Sequence, residues 1–223
     1  MQASAELEGE ALEHAQGLWN IARNNAVVTA LALNELGLHK QIANRVIEPW
    51  MFITVLASAT EWSNLFALRR DKAAQPEFRH VAEMAWAAYS ASEPQKLQNN
   101  QWHLPLVTGR DESQLRETGY SDKELCAISV GRCAAVSYLN HDGLRDPSAD
   151  IDRASRLAKN GHMSPFEHVA RALTRDEWEL YAIEAMTAWV NERVPPGNLW
   201  GWEQFRKTLA NEHDFSLLNG DDP

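Results

Sequence analysis

Residues 160 to 168 read Asn-Gly-His-Met-Ser-Pro-Phe-Glu-His, and no other stretch constrains the path of this chain as tightly. A helical pattern runs up to Asn160 and stops there. Gly161 suits the left-handed residue that closes a helix, and Pro165 prevents the helix from resuming. The stop puts His162, Ser164, Glu167 and His168 on a rigid turn and off any single helix face. Two imidazoles, a hydroxyl and a carboxylate on a turn beside a helix end can hold a polar ligand. On spacing alone, an ordinary polar surface loop reads at least as well.

Periodicity sets out the other elements. Leu7, Ala11, Leu18, Ala22, Val27, Leu31 and Leu33 recur at helical intervals and predict a long helix over 4–37, ended at Gly37. Such a helix leaves an apolar face exposed wherever no partner covers it. Residues 40–48 predict a short helix or turn stopped by Pro49. The apolar, β-branched run Met51-Phe52-Ile53-Thr54-Val55-Leu56 predicts a buried strand. A helix is expected over 60–70. Gln75-Pro76 opens another, with Phe78, Val81, Met84, Ala85 and Ala88 inward. Residues 94–120 read as a long loop, anchored only by Trp102-His103-Leu104-Pro105. Ser121-Asp122-Lys123-Glu124 is a capping box that starts a helix to about Ser137, and Pro147 starts the helix that ends at Asn160. Thr174-Arg175-Asp176-Glu177 is a second capping box, whose amphipathic helix ends at Pro195-Pro196-Gly197. A helical piece over 202–210 precedes a polar tail, 211–223, expected to be mobile.

At 223 residues, one domain with one substantial core is the default. No apolar run approaches a membrane span, and Met1 to Glu10 is too acidic for a secretory signal. The net charge of −10 argues against non-specific binding to nucleic acid, which depends on neutralising phosphates. It leaves a mononucleotide open, because one or two arginines suffice for one phosphate. Cys126 and Cys133, seven apart on a predicted helix, sit roughly 10 Å from each other, too far for a disulfide. They read as buried free thiols of a reducing cytoplasm, and neither has a zinc-type spacing with the histidines, so no metal is expected.

Gly161-His162-Met163-Ser164-Pro165-Phe166-Glu167-His168 resembles the Gly-His-x-Ser/Thr-Pro-Phe-Glu-His signature of flavin-dependent thymidylate synthases. Three further blocks resemble segments of the same family: Asn64 to Glu77, with Leu68, Arg69, Ala74 and Gln75; Arg45-Val46-Ile47-Glu48-Pro49; and Arg132-Cys133-Ala134-Ala135-Val136-Ser137-Tyr138. Their order differs from the common cellular form, because Arg69 and Gln75 precede Ser137 and Glu167. The chain therefore resembles the circularly permuted relatives found in bacteriophage, in which Gly37 to Gln41, Trp102 to Pro105 and Gly197 to Lys207 also have counterparts. Permutation suits a domain whose termini lie close together.

The resemblance implies a mixed α/β fold, a small sheet flanked by long helices, assembled as a homotetramer with sites between subunits. It implies reductive methylation of dUMP to dTMP, with FAD as cofactor and with methylenetetrahydrofolate and NADPH as co-substrates. Arg45 and Arg69 match arginines that bind dUMP, and Arg69 is the one assigned to catalysis. An ion pair of Arg69 with Glu77 or Glu61, and a helix-end bond for Arg45, are the structural alternatives. Asn64, Leu68, Ser137, His162, Ser164 and Glu167 match flavin contacts, although the Ser137 hydroxyl equally suits its own backbone. Gln204 and Arg206 are second-tier substrate candidates. Trp200, Trp202 and Phe205 suit either a stacking platform or core packing.

Departures from the family pattern are specific. The Asn-Ala-Arg triad before Asn64 is Ser58-Ala59-Thr60 here, the histidine expected at position 73 is Ala73, and the second arginine of the Ser137 block is Ala135. Lys40, Lys72 and Arg132 are nearby substitutes for phosphate contacts. The Arg-His-Arg-x-x-Ser motif that binds nucleotide and flavin does not occur in these residues, so an internal start, a fragment or a split enzyme is expected. Residues 171–196 read as a helical insertion. Other outcomes on the same scaffold are hydroxymethylation of a pyrimidine nucleotide, or a non-catalytic nucleotide-binding or assembly subunit.

Overall fold

The computed structural model describes residues 6–136, 145–190 and 199–212. Among them the chain is mixed α and β: helices dominate, and one small antiparallel sheet joins three short strands. The chain divides into two compact units, 1–53 with 69–84, and 54–68 with 85–223.

The first unit contains α1 (Gly9–Glu35), α2 (Lys40–Ala43) and a 3-10 turn (Asn44–Trp50). The long helix is as the sequence predicts, trimmed at both ends, and Gly37 follows it with φ +87°. Trp19 of α1 meets Trp50 with ring centroids 5.6 Å apart. Beyond that contact α1 buries little: Ala30 is its one buried residue, while Leu18, Trp19, Val28 and Leu31 are exposed. The 3-10 turn runs through Pro49 and ends at Trp50, so Pro49 does not stop it.

The strand expected over 51–56 does not form. Its residues are irregular and outside the sheet, and Phe52, Ile53 and Val55 are exposed. Strand propensity measures fit to a pleated, half-buried surface, and a run without that surface stays irregular. The next helices are α3 (Ser63–Arg69) and α4 (Pro76–Ala91). The inward face expected of α4 is wrong. Phe78, Val81 and Met84 are exposed, and the buried position is Ala82. In the second unit Phe66 of α3 is buried against Trp86 and Tyr89, with ring centroids at 5.1 and 5.5 Å.

The core of the second unit surrounds α6. The loop expected over 94–120 contains β1 (Trp102–His103) and α5 (Gly109–Glu117), whose Thr108 and Asp111 form a capping box. Asp111 does there what a longer Glu or Gln usually does, which hides the signal from a Glu/Gln pattern. The Ser121–Glu124 capping box starts α6 (Asp122–Ala134) as predicted. That helix is buried all round, with Leu125, Ile128 and Val130 fully so. Each such side chain stabilises the fold by about 1.5–3 kcal/mol. Across it packs α7 (Pro147–Lys159), capped by Asp146 and closed at Asn160. Two contacts tie the helices together: Arg132 Nε pairs with Asp150 Oδ2 at 3.3 Å, and Arg153 Nη1, itself held by Asp150 within α7, donates to the Gly131 carbonyl at 3.2 Å.

The sheet has the order β1-β2-β3, with β2 (Ala170–Ala172) central and β3 (Trp202–Gln204) on its other side. The register pairs His103 with Ala170 and Ala170 with Gln204, and pairs Ala172 with Trp202. Arg171 reaches across to Glu203 at 2.6 Å and to Glu177 at 2.9 Å. The Thr174–Glu177 capping box forms, opening α8 (Arg175–Val190). Residues 171–172 lie in the middle of the sheet. The helical piece expected over 202–210 is instead a strand followed by a 3-10 turn (Phe205–Thr208). Three-residue strands are too short to show alternation. The tail expected from 211 begins anchored, because Asn211 Nδ2 donates to the Ala158 carbonyl at 2.8 Å and Glu212 is buried. The rest of that tail and the Pro195-Pro196-Gly197 stop lie outside the described residues. No helix among the described residues is long and apolar enough to cross a membrane.

Candidate functional site

The 160–168 turn has the path that its residues predict. Gly161 takes φ +73°, and the His162 N–H reaches back to the Leu157 carbonyl at 2.9 Å, closing α7. Ser164–Glu167 makes one 3-10 turn. Met163 and Phe166 are buried, and Phe166 stacks on Phe205 at 6.1 Å, which fixes the turn to the end of β3. His162 and Ser164 are left exposed. Glu167 is ion-paired with Arg206, and Gln204 Nε2 donates to the Glu167 carbonyl at 3.1 Å. Three residues chosen from sequence, Glu167, Gln204 and Arg206, thus meet at one corner.

Asn64 and Leu68 are exposed on α3, and Ser137 lies outside the described residues. Arg45 and Arg69 belong to the first unit, whereas Glu167, Gln204 and Arg206 belong to the second. Arg69 is exposed, with its guanidinium 5.4 Å from the ring centre of Phe78. Such a cation–π contact contributes about 0.5–1 kcal/mol at the surface. Arg45, Lys40 and Lys72 are exposed as well. Arg132 is committed to structure, its side chain 7% exposed between Asp111 and Asp150.

Beside the corner, the second unit holds a half-open cavity of about 640 Å³. The strand register creates it. Paired residues share a face, so His103, Ala170 and Trp202 line one side of the sheet, and the small Ala170 leaves room beside the two rings. The His103 and Trp202 rings meet edge-on at 6.4 Å. Opposite them runs the segment 57–60. Ser58 Oγ lies 3.2 Å from His168 Nδ1, and Thr60 Oγ1 accepts the Trp200 N–H at 3.0 Å.

A third wall is the Leu104–Val107 turn, and it is held under strain. Leu106 has φ +62°, a conformation that costs a side-chain-bearing residue about 1–2 kcal/mol. Its carbonyl accepts from Arg132 Nη1 at 2.9 Å and from Arg145 Nη1 at 2.8 Å, while Ser129 Oγ donates to the Pro105 carbonyl at 2.7 Å. Strained backbone persists where its surroundings over-determine it, and such places cluster at binding sites.

Both cavity imidazoles favour the neutral form. Burial pushes His103 below its ordinary pKa, and the nearby His168 adds to the shift. His103 opens onto the cavity, so its ring touches solvent there while protein walls still remove much of its hydration. His168 is also lowered by burial, against the opposing pull of Glu167. A neutral imidazole offers one donor and one acceptor. Among the described lining residues there is no lysine or arginine, and the one carboxylate, Glu112, is paired with Arg116 at 2.8 Å.

None of the described residues chosen as ligand contacts lines this cavity, yet their neighbours do. His168 closes the nonapeptide, Trp202 precedes Gln204, and Ser58 and Thr60 stand at the altered triad. Sequence reasoning passed over His103, whose only signal was the Trp102–Pro105 block. Of the aromatic trio, Phe205 is core, Trp202 lines the cavity, and Trp200 is exposed beside Trp178 at 6.5 Å. Comparison with protein-family models, with curated proteins and with solved structures found no match to this chain.

Proposed function

We propose that this chain has the fold and activity of a flavin-dependent thymidylate synthase, methylating dUMP to dTMP with methylenetetrahydrofolate and NADPH. The supporting observation is the meeting of two resembling stretches, 162–168 and 200–206, through Gln204–Glu167 and Arg206–Glu167 contacts, with the altered triad at 58–60 joined to them by Ser58–His168 and Thr60–Trp200 contacts. The resemblance rests on motifs read separately along the chain, and the contacts give those motifs a common location. FAD, when bound, supplies the hydride transfer.

The donor set of the turn fits a flavin's ribityl and ribose hydroxyls: the exposed His162 imidazole, the Ser164 hydroxyl and the partly open Glu167 carboxylate. In this reading those residues orient the cofactor, with Arg206 holding Glu167 in place. Asn64, Leu68 and Ser137 complete the contact, Arg45 and Arg69 clamp the nucleotide phosphate, and Gln204 contacts substrate. The working form is a cytoplasmic homo-oligomer, a tetramer by resemblance, with sites shared between subunits.

A second reading is an assembly or nucleotide-binding subunit whose partner supplies the absent Arg-His-Arg segment. The exposed apolar residues of α1 favour it, because a surface of that kind marks a contact site. Titration with FAD and dUMP, separately and together, tests both. Yellow protein near one flavin per chain that converts labelled dUMP to a product of dTMP mass supports the enzyme. Protein that stays colourless after reconstitution refutes it.

A further inference from the structure

We propose that Glu212 is a positioning residue for the 160–168 turn: it holds the Arg206 guanidinium so that Arg206 aims the Glu167 carboxylate at a ligand. The ligand rests on the flavin reading above, while the relay of side chains follows from the structure. Chain position alone places residue 212 in a polar tail, yet Glu212 is buried, its side chain 10% exposed. Two cations hold it there. Arg206 Nε lies 3.5 Å from Glu212 Oε2, and Lys207 Nζ lies 3.1 Å from the same oxygen. Arg206 Nη2 also donates to the Glu212 carbonyl at 3.4 Å, so two of the three guanidinium nitrogens are directed at residue 212. The third, Nη1, pairs with Glu167 Oε1.

A guanidinium is a rigid planar fork, so fixing Nε and Nη2 fixes the direction of Nη1. Glu167 is then held by one oxygen, Oε1, while its side chain stays 41% exposed. That leaves Oε2 able to accept from a ligand hydroxyl. A largely buried charge is costly without its partner, so Arg206 does not keep this geometry once residue 212 is neutral. The same segment grips both ends of the turn. The Phe205 N–H donates to the Val169 carbonyl at 2.8 Å, just after the turn, and Asn211 Nδ2 donates to the Ala158 carbonyl at 2.8 Å, just before it. Residues 205–212 therefore clasp the turn, and Glu212 reaches Glu167 through a single side chain.

The test uses the full chain carrying Glu212→Gln, Glu167→Gln and both together, with Arg175→Ala, at an exposed position of α8, as the control. FAD affinity, read by equilibrium dialysis, should fall about fivefold or more in each single variant. Glu212→Gln should add less than about twofold once residue 167 is already Gln. Losses that multiply, or Glu212→Gln protein that binds FAD like the parent, overturn the proposal. The second readout needs no flavin. The Arg206 Nε–H resonance of nitrogen-labelled protein, assigned by its absence in Arg206→Lys, should move in both Glu212→Gln and Glu167→Gln and hold still in the control. A resonance that either Gln variant leaves unmoved breaks the relay. If Glu212→Gln fails to fold, Arg206→Lys takes its place. It keeps the charge and loses the fork, so it should weaken FAD binding as Glu167→Gln does, with no further loss when the two are combined. Protein that binds no FAD but shows both resonance shifts refutes the flavin reading and leaves the relay standing. FAD bound at one per chain with an indifferent resonance does the reverse.

Discussion

Replacing Gly131 by Ala should destabilise the second unit, although Ala is the better helix former. Gly131 lies inside α6, where the change alone would gain about 1 kcal/mol. A Cβ there would stand 2.3 Å from the Asp150 carbonyl oxygen, 2.7 Å from its Cα and 2.8 Å from its carbonyl carbon. The nearest contact is about 1.1 Å short of an ordinary 3.4 Å approach, and every clashing atom is backbone, so no rotamer relieves it. The helices α6 and α7 must separate, which loosens the Arg132–Asp150 pair and the Arg153 bond to the Gly131 carbonyl. Overpacking of this kind costs about 1–3 kcal/mol and occasionally more. With the pairs strained as well, a net loss of about 2 kcal/mol or more is expected, or roughly 4–8 °C in Tm. Thermal melts with urea titration measure it. Gly17→Ala in α1, with nothing within 4 Å of the added carbon, should move stability the other way. Because α7 leads into the 160–168 turn, the proposed flavin capture should weaken alongside. A Gly131→Ala protein as stable as the parent would refute the reasoning.

Acidification should destabilise the fold below about pH 6.5, because folded His103 and His168 hold pKa values under the ordinary 6.5. The folded chain then binds fewer protons than the unfolded one, so stability present above 6.5 is lost as pH falls through the folded values. Urea midpoints measured from about pH 7.5 to 5 should drop, and His103→Gln with His168→Gln should flatten the drop; an unaltered slope would remove the two imidazoles from the account. Burial pushes the Cys126 thiol up to about 12 and the Cys133 thiol up to about 11. Native protein at about pH 8 should therefore resist thiol alkylation and react once unfolded, and rapid native labelling would contradict the burial.

Legibility followed the range of the interaction. Capping boxes at Ser121 and Thr174, the Gly161 stop and the Pro147 start are local hydrogen-bond and steric devices complete within a few residues. They stood where expected. The Met51–Leu56 run failed because a strand exists only against a neighbouring strand, which no local pattern guarantees. The face of α4 failed for a related reason: which side of a helix is buried depends on what packs on it, and Phe78 is half exposed beside Arg69.

For the site, the family resemblance marked Glu167, Gln204 and Arg206, and the fold placed them together. Sequence could not say that His103, Ala170 and Trp202 would line one side of the sheet, since that shared face is a product of strand register. Nor could it say that Leu106 would be held at positive φ by guanidinia from 26 and 39 residues away. Turns, caps and helix ends belong to the chain because their partners are neighbours along it. The cavity, its neutral imidazoles and its missing counter-charge belong to the tertiary structure, where distant segments decide how much water each group retains.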